Sequence, residues 1–176
     1  MIIKTLSLEI FFLVIFIIPT AYAFWIGAPI LLTPKESIRK AFQYCQIEKG
    51  KVFYDLGSGT GRSLAIASGE FGLDATGFEL SPILFLISKI NLFFNGAKAK
   101  VKIKNFYQVD LGEADVVFCF LTPEVMKKLT PKFEKELKIG AKIVSYAFRI
   151  SQWEPVKIIN TDNPGKIFIY ENIQKN

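Results

Sequence analysis

The chain has 176 residues, 51% of them hydrophobic, 14% aromatic and 22% charged, a composition that excludes a disordered, collagen-like or disulfide-scaffold protein and fits one globular domain. Lys plus Arg number 22 against 16 Asp plus Glu, and the net charge of +6 permits a phosphate-bearing or anionic-lipid partner without implying one. There is no histidine, so imidazole-ligated metals, Ser-His-Asp triads and imidazole bases are excluded. Cys45 and Cys119 are far apart and in no metal-ligand spacing, and read as packing thiols of a reducing compartment.

Residues 10–32 (IFFLVIFIIPTAYAFWIGAPILL) carry no charge. As one helix they would span roughly 35 Å, more than a bilayer core of about 30 Å. This predicts one N-terminal transmembrane helix and divides the chain into an anchor, 1–32, and a domain, 33–176. Pro19, Gly27 and Pro29 can kink or break the span, leaving Phe24 and Trp25 near the interface. The rival reading is a cleaved signal peptide, for which Lys4, the apolar stretch and Ala21-Tyr22-Ala23 form an acceptable pattern; Glu9 interrupts that pattern and favours a retained anchor. Lys35, Arg39 and Lys40 follow the span while only Lys4 precedes it, so the positive-inside rule predicts a single-pass membrane protein with its domain in the cytoplasm.

From Thr33 the chain alternates helical patterns with short apolar runs. Thr33-Pro34 with Glu36 reads as a helix start with a capping box, opening a helix to Tyr44. Strands are predicted at Lys51–Asp55, Asp74–Glu79, Lys98–Lys104, Ala114–Phe120 and Ala141–Phe148, and helices at about 60–71, 82–94 and 123–137. In Lys98–Lys104 (KAKVKIK) four lysines share one face, the pattern of a half-exposed strand rather than a nucleic-acid patch. Glu154–Asn160 and Lys166–Glu171 read as an antiparallel pair around Asp162-Asn163-Pro164-Gly165. The order describes an α/β fold: a doubly wound, Rossmann-like, mostly parallel sheet with a C-terminal antiparallel hairpin.

The chemistry sits where the first strand meets its glycines. VFYDLGSGTGRS puts Asp55, Gly57, Gly59 and Gly61 on a strand-to-helix turn. Glycines there let a ligand approach the backbone, and the following helix start offers unpaired N–H groups. A dinucleotide site asks for Gly-x-Gly-x-x-Gly, and its third position is here Arg62. The tight spacing suits a ligand without a pyrophosphate: Asp55 can hold a cation through the turn, and Glu79, at the end of the second strand, can accept from a ribose diol.

These residues resemble the class I S-adenosylmethionine-dependent methyltransferases, whose first motif is a strand followed by Asp/Glu-x-Gly-x-Gly-x-Gly and whose second strand ends in an acid. The segments APILLTP (28–34), DLGSGTGR (55–62), GFELSP (77–82), DLGEADVV (110–117) and KIGAKIVSYAFRISQWEP (138–155) extend the resemblance. They are similar to the membrane-associated protein-lysine methyltransferases related to the mitochondrial ATP synthase c-subunit methyltransferase. The resemblance implies S-adenosylmethionine as cofactor, with Thr33, Asp55, Gly57, Ser58, Gly59, Gly61, Glu79 and Asn105 as cofactor-binding positions. Of these, Asp55, Gly57 and Gly59 would line the methionine moiety, Glu79 the ribose and Asn105 the adenine edge, with Asp110 the alternative for the last. It also implies a protein substrate, one that a membrane segment at 10–32 would bring within reach if embedded in the bilayer, and no metal.

Methyl transfer to a lysine requires a neutral amine, whereas an unperturbed lysine has a pKa of about 10.4. Without histidine, the available acceptors after the fourth strand are Thr122 and Glu124, and Tyr146 on the fifth strand can pack the substrate stem; each is equally consistent with a cap, a solvated charge or core packing. Neither the Asn/Asp-Pro-Pro-aromatic motif of base methylation nor a Pro-Cys nucleophile follows the fourth strand, where the sequence reads FLTPE, so a nucleic-acid substrate is disfavoured. Three functions are carried forward: a membrane-anchored protein-lysine methyltransferase, a methyltransferase of a small molecule or RNA, and a non-catalytic cofactor-binding membrane protein.

Overall fold

A computed structural model of the chain describes residues 9–11, 13–25, 32–151, 153–162 and 165–173. A π-helical turn, Leu13–Ile17, leads into α1 (Ile18–Trp25); α2 is Lys35–Cys45, β1 Val52–Leu56, α3 Arg62–Gly69, β2 Asp74–Glu79, α4 Pro82–Phe94 and β3 Lys100–Ile103. After a 3-10 turn at Phe106–Gln108 come β4 (Val116–Cys119), α5 (Pro123–Glu136), β5 (Lys142–Tyr146), β6 (Lys157–Asn160) and β7 (Lys166–Glu171).

The seven strands form one sheet in the order β3-β2-β1-β4-β5-β7-β6. The first five run parallel, and β7 lies antiparallel between β5 and β6. The parallel strands are short apolar runs because helices cover both faces. On one face Ile38, Phe42, Leu64 and Leu92 from α2, α3 and α4 pack against Phe53, Phe118 and Val144. On the other, Met126, Leu129 and Phe133 of α5 pack against Leu56, Val117, Cys119 and Tyr170. Both thiols are buried, which pushes their pKa values up, Cys45 to about 11. The direction of winding reverses between β1 and β4, and there a parallel sheet opens a crevice at its carboxyl ends.

Two expectations need correction. The transmembrane helix is not supported: among the described residues no helix is long and apolar enough to cross a membrane. Pro19 stands in the first turn of α1 and has no N–H for the preceding turn, which is π-helical. The α1 that follows has 8 residues and covers only about 12 Å of the roughly 30 Å needed. Instead the segment lies beside α4, with Thr20 Oγ1 and Ser81 Oγ 2.9 Å apart. The single-pass assignment, with its cytoplasmic orientation, loses its premise. Lys4, Gly27, Pro29, Asn163 and Pro164 lie outside the described residues.

The second correction is the capping box. Pro34, not Thr33, takes the cap position of α2, and no side chain caps it; Glu36 instead lies 3.8 Å from Arg39 one turn on.

Candidate active site

The carboxyl end of β1 turns into α3 through Gly57–Gly61, with Gly57 at φ +80°, Gly59 at +54° and Gly61 at +75°. These left-handed conformations are costly for any residue with a Cβ. Gly61 has a steric reason as well, since a Cβ there would stand 2.3 Å from Ser88 Oγ of α4. Gly77 supports the loop from β2: a Cβ on it would fall 2.6 Å from the Ser58 side chain and 2.5 Å from that of Leu64. The Ser58 hydroxyl is buried and has no hydrogen-bond partner among the described residues.

Two buried carboxylates hold this loop. Asp55 lies on β1, level with Gly77 of β2 and Phe118 of β4, and its Oδ2 accepts the Ser63 hydroxyl of the first turn of α3. Burial pushes its pKa up to about 7, the Ser63 hydrogen bond opposing and Glu79 adding to the rise. Glu79, 6% exposed, accepts the Gly59 N–H with Oε2 and the Ser81 N–H with Oε1, both at 2.8 Å. Burial raises its pKa too, and the backbone donors, Ser81 first, oppose the rise. A neutral site tolerates two such acids poorly; an incoming cation would favour their ionised forms.

The remaining sequence-predicted residues fall in different places. Thr33 is buried beside the loop, and its carbonyl accepts from Arg62 Nη1 at 3.0 Å, so the arginine that replaces a dinucleotide-type glycine ties the start of α2 to the glycine turn. Asn105 caps the 3-10 turn after β3, its Oδ1 accepting the Tyr107 N–H at 3.0 Å. Asp110 is exposed in the loop before β4 and accepts from Gly112 N–H. Thr122 stands at the N-cap of α5 without a side-chain cap bond, and Glu124 is exposed in its first turn. Tyr146 is 3% exposed, its ring edge-on to Phe120 at 4.9 Å within the core cluster and its hydroxyl beside Gly165. Among the described residues no group of three or more Cys, Asp or Glu could hold a metal.

Sequence reasoning missed Ser63, Gly77 and Ser81. An isolated glycine inside the β2 pattern was a signal for close backbone approach. Ser81 preceding Pro82 was another: its Oγ accepts from Leu84 N–H and caps α4. Ser63 carries no local signal, because its partner is eight residues away across a turn.

Residues 55–157, from Asp55 through the start of β6, match the ANTKMT methyltransferase domain. The chain belongs to this family of S-adenosylmethionine-dependent protein-lysine methyltransferases. It is 34% identical over 138 residues to a protein-lysine N-methyltransferase of Saccharolobus islandicus, covering 77% of this chain and 86% of that one. It is 33% identical to the adenine nucleotide translocase lysine N-methyltransferase of Mus musculus over 66% of this chain, and 30% identical to the ATP synthase c-subunit lysine N-methyltransferase of Rattus norvegicus over 72% of it. The alignments span only 52% and 59% of those two mammalian proteins. Among solved structures, an RNA methyltransferase of Salinibacter ruber in complex with S-adenosyl-L-homocysteine superposes with a TM-score of 0.79 at 26% identity, over 83% of this chain and 96% of that one. A methyltransferase of Pyrococcus furiosus, at 20% identity and a TM-score of 0.66, shares the fold.

Proposed function

We propose that this chain methylates a lysine side chain of a protein, using S-adenosylmethionine, and that residues 33–176 are the catalytic unit. The observation that carries the reading is the pair of buried acids, Asp55 and Glu79, bracketing a left-handed glycine turn at the crevice of the sheet, in a chain of this family.

The residues fit the cofactor. Gly57 and Gly59 leave the backbone open to its amino-acid part, while Asp55 is placed to favour a cationic ligand. Glu79 has lone pairs left after its two backbone bonds and can take a ribose hydroxyl. Ser58 supplies an unspent hydroxyl to the loop, and Thr33 with Arg62 closes the rim. Asn105 would hold the adenine edge through the part of its carboxamide that does not cap the 3-10 turn. When bound, the sulfonium supplies an electrophilic methyl group.

The work left to the protein is alignment, exclusion of water and removal of a proton from the lysine ammonium. Loss of water around the amine where it is buried beside Leu121 disfavours the charged form and lowers its pKa. Thr122 and Glu124 sit at the start of α5, where Glu124 can receive the proton and pass it to solvent. Tyr146 backs the acceptor channel. A protein substrate suits a site over which the described residues insert no domain. The likeness to the Salinibacter ruber RNA methyltransferase favours RNA as the second reading.

Isotope-labelled methyl transfer from S-adenosylmethionine by the purified chain, offered cell protein, small metabolites and RNA separately, tests this. Label on protein lysine supports it, and label confined to RNA or metabolites replaces it.

A further inference from the structure

The turn that ends β5 is held in an unusual shape. Ala147 has a φ of +68°, in the left-handed region that residues with a Cβ seldom occupy. Non-glycine residues stay there only when their surroundings over-determine the conformation, and such outliers cluster where a side chain must be aimed. Two bonds fix it: the Ala147 N–H donates to the Lys166 carbonyl at 2.8 Å, and the fully buried Ser145 hydroxyl donates to the Phe148 carbonyl at 2.6 Å.

The turn sets Phe148 beside Phe120, the residue that leaves β4. Their ring centroids are 6.3 Å apart and the planes tilted by 34°, while Tyr146 packs edge-on behind Phe120. Tyr146 is buried, but Phe120 and Phe148 both keep part of their surface open. Leu56 pairs with Cys119 in the parallel register of β1 and β4, so Phe120 comes level with Gly57, the first glycine of the turn. Both rings therefore stand just past the carboxyl ends of β4 and β5, the side of the sheet on which the crevice opens. A cation within about 6 Å of both centroids is attracted by both, and a lysine brings an aliphatic stem that packs on the same surface.

We propose that Phe120 and Phe148 form an aromatic recognition site for the acceptor's alkylammonium group, aimed by the strained Ser145–Phe148 turn. The proposal rests on the protein-lysine reading and goes further by assigning where the acceptor side chain is held. Phe120 and Phe148 touch the acceptor; Ser145 and Ala147 are positioning residues. An N-methylated ammonium is less strongly hydrated than the unmodified group and binds such faces more readily.

The test uses the full chain saturated with S-adenosylhomocysteine, with phenylalanine rings labelled for NMR. It is titrated with tetramethylammonium, with a short peptide bearing one trimethyllysine, and with the same peptide bearing a neutral carbon isostere. We expect saturable shifts of the Phe120 and Phe148 rings with both cations and not with the isostere. Phe148→Leu should weaken cation binding by roughly 3- to 30-fold, Phe148→Tyr should restore it, and neither should change S-adenosylhomocysteine affinity. Equal binding of the isostere, or ring signals indifferent to all three, would overturn the site while lysine methylation by the wild type kept the protein-lysine reading intact. Cation-dependent ring shifts in an enzyme that methylates no lysine would overturn both.

Discussion

The Glu79 carboxylate spans two turns of backbone: one oxygen accepts the Gly59 N–H of the glycine loop and the other the Ser81 N–H at the head of α4, each at 2.8 Å. One buried side chain thus couples the end of β2 to the loop after β1 before any ligand is present. Replacing Glu79 by Ala leaves two inward-facing N–H groups unpaired, at about 1–3 kcal/mol for each that cannot reach water. The loss of stability should accompany a roughly 10- to 100-fold loss of S-adenosylhomocysteine affinity. Glu79→Gln, which keeps an acceptor oxygen, should recover part of both. Calorimetric titration beside denaturant unfolding separates the two effects, and unchanged affinity in Glu79→Ala would move the ribose contact elsewhere.

Asp55 makes the stability of the cofactor-free protein depend on pH in the opposite sense to an ion-paired acid. Its folded-state pKa of about 7 lies above the ordinary 3.8. The contribution is therefore complete below about pH 4 and is lost as pH rises through about 7, on the order of 4 kcal/mol in all. Against Asp55→Asn, which stays neutral, the wild type should lose stability between about pH 4 and pH 7. A difference that is flat over that range, measured by urea unfolding, would contradict the buried, proton-binding state.

The same group predicts proton release. A cationic ligand favours the carboxylate, so binding S-adenosylmethionine near pH 6 should expel a proton and tighten as pH rises toward neutrality. Titrations in buffers of different ionisation enthalpy measure this directly. Ser63→Ala removes the hydrogen bond that opposes the rise, so it should push the Asp55 pKa higher and weaken binding at neutral pH.

Gly61→Ala should be among the more damaging single substitutions. It combines a left-handed φ of +75° with a Cβ 2.3 Å from Ser88 Oγ. Strain of about 1–2 kcal/mol from the backbone and displacement of α4 add, and thermal unfolding should show a clear drop. Ser88→Gly in the same chain removes the obstacle and should return part of it, whereas no return would place the cost in the backbone alone.

Much of the core was legible because its signals are local. The apolar run Val116–Cys119, the Asp74–Glu79 strand and the Pro82–Phe94 helix each declare themselves by run length, periodicity or a cap, and the glycine spacing after Asp55 set this loop apart from a dinucleotide site. Long-range partners were not legible. Arg62 reaching Thr33, Ser63 reaching Asp55 and Glu79 reaching Gly59 are products of the fold. The uncharged stretch 10–32 misled because hydropathy counts residues and ignores what Pro19 does to the hydrogen-bond ladder. The aromatic pair escaped notice because Phe120 and Phe148 follow the ends of two different strands, β4 and β5, and Phe148 comes after the left-handed Ala147.

The most direct measurement of the central claim is mass spectrometry of protein incubated with the wild-type chain and isotope-labelled S-adenosylmethionine, with Glu79→Ala run in parallel. The account predicts labelled methyl groups on lysine nitrogen in the wild-type reaction and a strong reduction in the variant. Label on RNA alone, or lysine labelling equal in the two, would contradict it.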